Sequence, residues 1–142
     1  MMNTYSDVWK QVLNRKCWRA WDGMLPAVFF EFEKKQKDNK TGEFSLCLDM
    51  CRWVISKDEI EVANSESEAR KIKSALKLLI NTSISDIHFS EQNHHIIEFT
   101  NKIKIDTYLR NSKDEWYILS PDFEFIVKMD NIFLESRGKK KE

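Results

Sequence analysis

Glycine is scarce in this sequence, three in 142 residues, and they form no Gly-rich loop of the kind that cradles a phosphate with backbone N–H groups. Cysteine is equally scarce. Cys17, Cys47 and Cys51 are an odd number without the spacing of a small disulfide scaffold, so reduced thiols are expected. No apolar run approaches the roughly 18 residues that span a bilayer, and the opening MMNTYSDVWK lacks the basic and then apolar regions of a secretory signal. A cytoplasmic protein without a membrane partner is the expectation. Neither G-x-S-x-G nor H-E-x-x-H occurs, and no carboxylate pair stands out as an acid/base couple, so the chain reads as a non-enzyme with no cofactor and no metal.

Net charge is also absent, with 23 basic and 23 acidic residues. The distribution is uneven. Residues 1–57 carry ten Lys/Arg against seven Asp/Glu, residues 58–136 nine against fifteen, and 137–142 four against one. Acid concentrated in the second half argues against direct nucleic-acid binding and leaves room for a basic protein partner. KKQKDNK and GKKKE are short and broken by acids, and read as a solvated loop and a frayed tail.

What is present is a globular composition, 42% hydrophobic and 12% aromatic, with enough chain to bury a core without staples. Tyr5, Val8, Trp9, Val12 and Leu13 recur at helical spacing, with Ser6 or Asp7 as N-cap. AVFFEFE alternates as a strand with Val28, Phe30 and Phe32 on one side and Glu31 and Glu33 on the other. It is joined by a polar loop to GEFSLCLDMCRWVI. There the alternation changes phase, from Phe44, Leu46, Leu48 and Met50 to Cys51, Trp53 and Ile55. A β-bulge near Met50 and Cys51 keeps both sets on one face, with Cys47 turned away. Two core thiols are favoured over a metal or redox pair. DEIEVAN adds a short strand. Ser65 and Glu68 form a capping-box pattern before a helix carrying Ala69, Ile72, Ala75, Leu76, Leu79 and Ile80.

Five short β-branched or aromatic segments then read as an antiparallel meander. The expected fold class is α+β, one domain over 1–136: N-terminal helix, hairpin with a bulged strand, central helix and C-terminal meander, with 137–142 a disordered basic tail. His88, His94 and His95 cluster around one predicted turn. They supply the alternative reading, a small metal-dependent or hydrolytic enzyme using that region. Five tryptophans exceed what packing demands, and Trp18 and Trp21 in CWRAWDG are candidate exposed anchors.

The order of CWRAWDGMLPAVFFEF, GEFSLCLDMCRWVI, EIEVANSES and IIEFTNKIKIDTYLRNSKDEWYIL resembles a family of small, mostly uncharacterised bacterial proteins. Its members show D-M-x-x-F-x-F, then G-E-Y-x-L-x-x-x-C-x-W-R-I, and a late W-R-L. Phe30 and Phe32 match the first motif, Gly42, Glu43, Phe44, Leu46, Cys51 and Trp53 the second, and Trp116 and Leu119 the third. Val54 and Tyr117 stand where the family has arginine. The resemblance implies an immunity protein of polymorphic toxin or contact-dependent growth inhibition systems, whose partner is a cognate toxin domain. A nuclease toxin is basic because it binds phosphate backbones, so the acidic residues Asp58, Glu59, Glu61, Glu66, Glu68, Asp114 and Glu115, with Trp18 and Trp21, are the expected contact residues.

Overall fold

A computed structural model describes residues 5–38, 40–90 and 92–136; the predicted basic tail at 137–142 lies outside them. In chain order the elements are α1 (Tyr5–Val12), β1 (Cys17–Asp22), β2 (Val28–Phe32), β3 (Phe44–Met50), β4 (Arg52–Lys57), β5 (Ile60–Asn64), α2 (Ala69–Lys77), β6 (Ile84–His88), β7 (His94–Phe99), β8 (Ile103–Tyr108), β9 (Glu115–Leu119), β10 (Phe123–Lys128) and β11 (Asn131–Ser136). The expected α+β class is therefore wrong. Among the described residues, eleven strands in two antiparallel sheets make the fold mostly β, and the two helices have only eight and nine residues. Among the described residues no helix is long and apolar enough to cross a membrane.

One sheet runs β1-β2-β3-β9-β10-β11 and the other β5-β4-β8-β7-β6. The late strands lie where alternation places them, but they do not form one meander. β6, β7 and β8 pair in the five-stranded sheet, and the chain then crosses to the six-stranded sheet for β9, β10 and β11. The phase change at Met50 and Cys51 has the same cause. β3 pairs with β2 and β9, whereas β4 pairs with β5 and β8, so the irregularity is the corner at which the chain changes sheets. Phe44, Leu46, Leu48, Cys51, Trp53 and Ile55 all enter one buried core with Phe30, Phe99, Ile105, Trp116 and Phe125 from both sheets, whereas Met50, expected with them, is half exposed at the corner. Trp53 Nε1 donates to Pro26 O at 2.9 Å, tying the sheets across that core.

The sheets also join at a second edge, where Lys16 bridges Ser83 and the Cys17 N–H donates to Thr82 O at 2.7 Å. β1 and β11 were not expected as strands. α1 buries Val8 and Val12. α2 buries Ile72, Ala75 and Leu76 on the predicted stripe, but the capping box does not form. Its N-cap is Glu68, without a side-chain bond, and the Ser65 hydroxyl instead accepts the Trp53 N–H at 3.2 Å.

Candidate functional site

Asp58 and Glu59 are the two residues of a tight turn closed by the pair Lys57 and Ile60, which joins β4 to β5. Both are in the left-handed region, at φ 53° and 68°. A two-residue hairpin of this hand favours Asn-Gly, because glycine reaches positive φ without a Cβ clash. A glutamate there costs about 1 kcal/mol of backbone strain. The chain thus keeps two carboxylates at a tip where its own backbone disfavours them. Ile60, 68% exposed, stands beside them, and Glu61 follows on β5.

Strand register carries this charge across the sheet. On the outer face Glu61 lies opposite Ser56, Ser56 opposite Lys104, Lys104 opposite Glu98, and Glu98 opposite Asp86, one residue from each of the five strands. The neighbouring row contains Asn64, Val54, Asp106, Ile96 and His88, and the next Arg52, Tyr108 and His94. A depression of about 490 Å³ opens on this face, with Asp58, Glu59, Glu98, Ile96, Lys102 and Lys104 in its walls. Lys104 Nζ reaches Glu59 at 3.1 Å, and that hydrogen bond is the main cause of its raised pKa. Glu66 and Glu68 prolong the acidic strip past the end of β5. In all, Asp58, Glu59, Glu61, Asp86, Glu98 and Asp106 stand on or beside this face with Arg52, Lys102 and Lys104, while Lys57 pairs with Ile103 on the core-facing side and the exposed Arg70, Lys71, Lys73 and Lys77 follow on α2.

The three histidines do not converge. His88 Nε2 lies 2.8 Å from Glu98 and 3.5 Å from Asp86, and His94 Nε2 lies 2.7 Å from Asp106 while its ring stacks on Tyr108 at 4.4 Å. His95, the next residue along β7, points inward and is 4% exposed. Among the described residues no group of three or more His, Cys, Asp or Glu side chains is arranged to hold a metal ion.

The other expected contact residues are elsewhere. Asp114 is buried, and its Oδ2 accepts the Arg110 backbone N–H at 2.8 Å and Nε–H at 3.0 Å, which makes it a loop clamp rather than a surface charge. Glu115 lies on the six-stranded sheet, paired with Lys128 at 2.8 Å. Trp18 sits half-buried at the register shift between Cys17 and Arg19, with Lys35 Nζ 5.0 Å from its ring. Trp21 stacks on Phe29 at 4.5 Å under the Arg19 guanidinium, and its indole N–H donates to Glu31 Oε2 at 2.9 Å.

Glu31 does face outward as alternation requires, yet it is 1% exposed. Besides Trp21, the Gly42 N–H (3.1 Å) and the Ser45 hydroxyl bond its other oxygen. Gly42 is what brings the loop this close, since a Cβ there would meet Phe32 O and lie 2.6 Å from Phe32 N. Cys47 shares this outer face, and all three cysteines are buried. Burial pushes the Cys17 and Cys51 thiols up to about 12 and Cys47 up as well, so none is a nucleophile at neutral pH.

Sequence reasoning missed Asp86, Glu98 and Asp106. Their signal was the alternation of HHIIEF and KIKIDTY, which puts Glu98 and Asp106 opposite the core residues; only the register joins them to Glu61. Compared with known proteins, the chain matches no protein-family model, no curated sequence and no solved structure.

Proposed function

We propose that this chain is a cytoplasmic immunity protein of the contact-dependent growth inhibition kind. In this reading it is a binding module that neutralises a basic toxin domain, a nuclease, by covering its active or substrate-binding surface. The observation that carries the reading is the Asp58–Glu59 turn. Two carboxylates are held at positive φ beside the exposed Ile60 and continuous with an outward row of carboxylates. Strain kept at an exposed tip is a mark of function, since selection for stability alone replaces such residues with Asn or Gly. Carboxylates at an exposed tip that also carries an apolar side chain suit a partner that presents lysine and arginine beside an apolar patch. The acidic field raises the encounter rate and the desolvated contact sets the lifetime. Val54, where the resembling family has arginine, lies opposite Asp106 on this face, so no cation from that position neutralises it.

Coexpression with the toxin reading frame beside this gene tests the reading. The natural chain should protect cells and copurify with the toxin domain. The double variant Glu59→Lys, Glu61→Lys should fold and lose both. Absence of protection and of copurification by the natural chain would overturn the proposal.

A further inference from the structure

A second concavity lies away from the acidic face, where a turn of each sheet meets the other. Asn93, in the β6–β7 connection, and Asp130, in the β10–β11 turn, clasp one another. Asn93 Nδ2 donates to Asp130 Oδ1 at 3.3 Å, and the Asp130 N–H donates to Asn93 Oδ1 at 2.8 Å. Beside the clasp is a cleft of about 510 Å³ lined by Phe89, Ser90, His95, Lys128, Asp130 and Asn131, within the range of small-molecule sites.

Phe89 is 37% exposed, a ring offered to solvent on a rigid aromatic base. It stacks on Trp9 at 5.7 Å and on Trp116 at 6.2 Å, and His95 meets it edge-on at 5.1 Å. His95 Nδ1 accepts the Ser90 N–H at 3.2 Å, so in the neutral ring the proton sits on Nε2 and that nitrogen is a donor. Burial, and secondly His94, hold the His95 pKa down and favour that neutral form. Trp116 is fully buried against Phe89 and His95, and its indole N–H has no hydrogen-bond partner among the described residues.

We propose that this cleft binds an uncharged planar heterocycle whose edge carries a hydrogen-bond acceptor beside a donor, as a nucleobase or carboxamide ring does. The exposed Phe89 ring selects planarity. His95 Nε2–H supplies the donor and the Asp130 carboxylate the acceptor. Lys128 is engaged by Glu115 at 2.8 Å, which leaves the Asp130 carboxylate as the uncompensated charge in the wall. An anion is therefore repelled, and a cation without an acceptor leaves the His95 Nε2–H unpaired, so both bind more weakly than a neutral ring that carries a donor and an acceptor.

Saturation-transfer NMR on the full chain tests this, with adenosine, uridine and nicotinamide as probes and benzoate and benzylamine as charged controls. At least one neutral probe should bind saturably with Kd below about 1 mM, and both controls about tenfold more weakly. Phe89→Ala removes the stacking ring, and Asp130→Asn removes the charged acceptor while keeping the clasp. Each should weaken binding about tenfold, the loss of one well-made contact. Asp130→Asn decides the matter if Phe89→Ala fails to fold. The proposal is overturned if no neutral probe saturates by about 5 mM, if a charged control binds as well as the neutral probes, or if the folded variants bind like the natural chain.

Discussion

Across the outer face of the six-stranded sheet one row of side chains reads Trp21, Phe29, Cys47, Tyr117, Ile126, Phe133. The matching row across the five-stranded sheet reads Glu61, Ser56, Lys104, Glu98, Asp86. Both rows face away from the same core, yet four of the six side chains in the first are rings and four of the five in the second are charged. A carboxylate has a different fate on each. Glu31, beside the aromatic row, is enclosed by Trp21, Gly42 and Ser45, and its charge holds a loop in place. Glu98, in the charged row, stays half open with only His88 and register neighbours around it. Outward direction therefore does not make a residue available. What lies beside it along the row decides.

The largest test of that contrast is Gly42→Ala. The added methyl meets the backbone of Phe32, which cannot yield as a side-chain end would, so the loop must leave Glu31. Urea unfolding should show a loss of about 3 kcal/mol or more, or no folded protein. Next is a matched pair. Glu31→Gln should cost about 2 kcal/mol, because charge-assisted bonds in a buried site weaken. Glu98→Gln should cost about 0–1 kcal/mol, as expected of an exposed ion pair. Equal costs would erase the distinction between the faces.

A smaller effect concerns the inward histidine. The folded-state pKa of His95 is depressed below the ordinary 6.5. Its contribution to stability is therefore complete above that value and is lost as pH falls below it, while the unfolded state gains a proton first. The urea midpoint should drop between about pH 7.5 and about pH 5.5, and His95→Gln should make the drop shallower. Smallest is Glu59→Gly, which relieves the left-handed strain. It should stabilise the fold by about 0.5–1 kcal/mol, with the lost Lys104 pair offsetting only a few tenths. A destabilised Glu59→Gly would mean that the turn favours glutamate for structural reasons.

Much of the local structure was legible because it depends on periodicity. The α2 stripe, the β2–β3 hairpin and the phase change at Met50 and Cys51 all follow from which residues must share a face. The division into two sheets was not legible. Nothing in NSKD says that the chain leaves one sheet after β8 and enters the other at β9, since that choice is made by core contacts of Trp116 and Ile118. Ser65 had the pattern of a cap, but it bonds the Trp53 backbone across a strand, a partner twelve residues back. For the site, Asp58, Glu59 and Glu61 were visible as an acidic run. Asp114 looked the same and is buried under Arg110, because a loop clamp and a surface charge have one spelling. Of the residues that carry the family resemblance, Phe30, Phe32, Gly42, Phe44, Leu46, Cys51, Trp53 and Trp116 are buried and Glu43 and Leu119 half-buried, so that likeness rests mainly on packing positions and leaves the acidic face unspecified.

The most direct measurement of the central claim is the association rate of this chain with the toxin domain proposed as its partner, for two charge-reversed variants at low and at physiological salt. Glu59→Lys with Glu61→Lys alters the charged face, and Glu124→Lys with Glu135→Lys makes the same change in net charge on the aromatic side. The first pair should slow association about tenfold or more at low salt and flatten its salt dependence, and the second should alter it far less. Equal slowing by both pairs would contradict a docking face on the five-stranded sheet and leave only a general attraction between opposite charges.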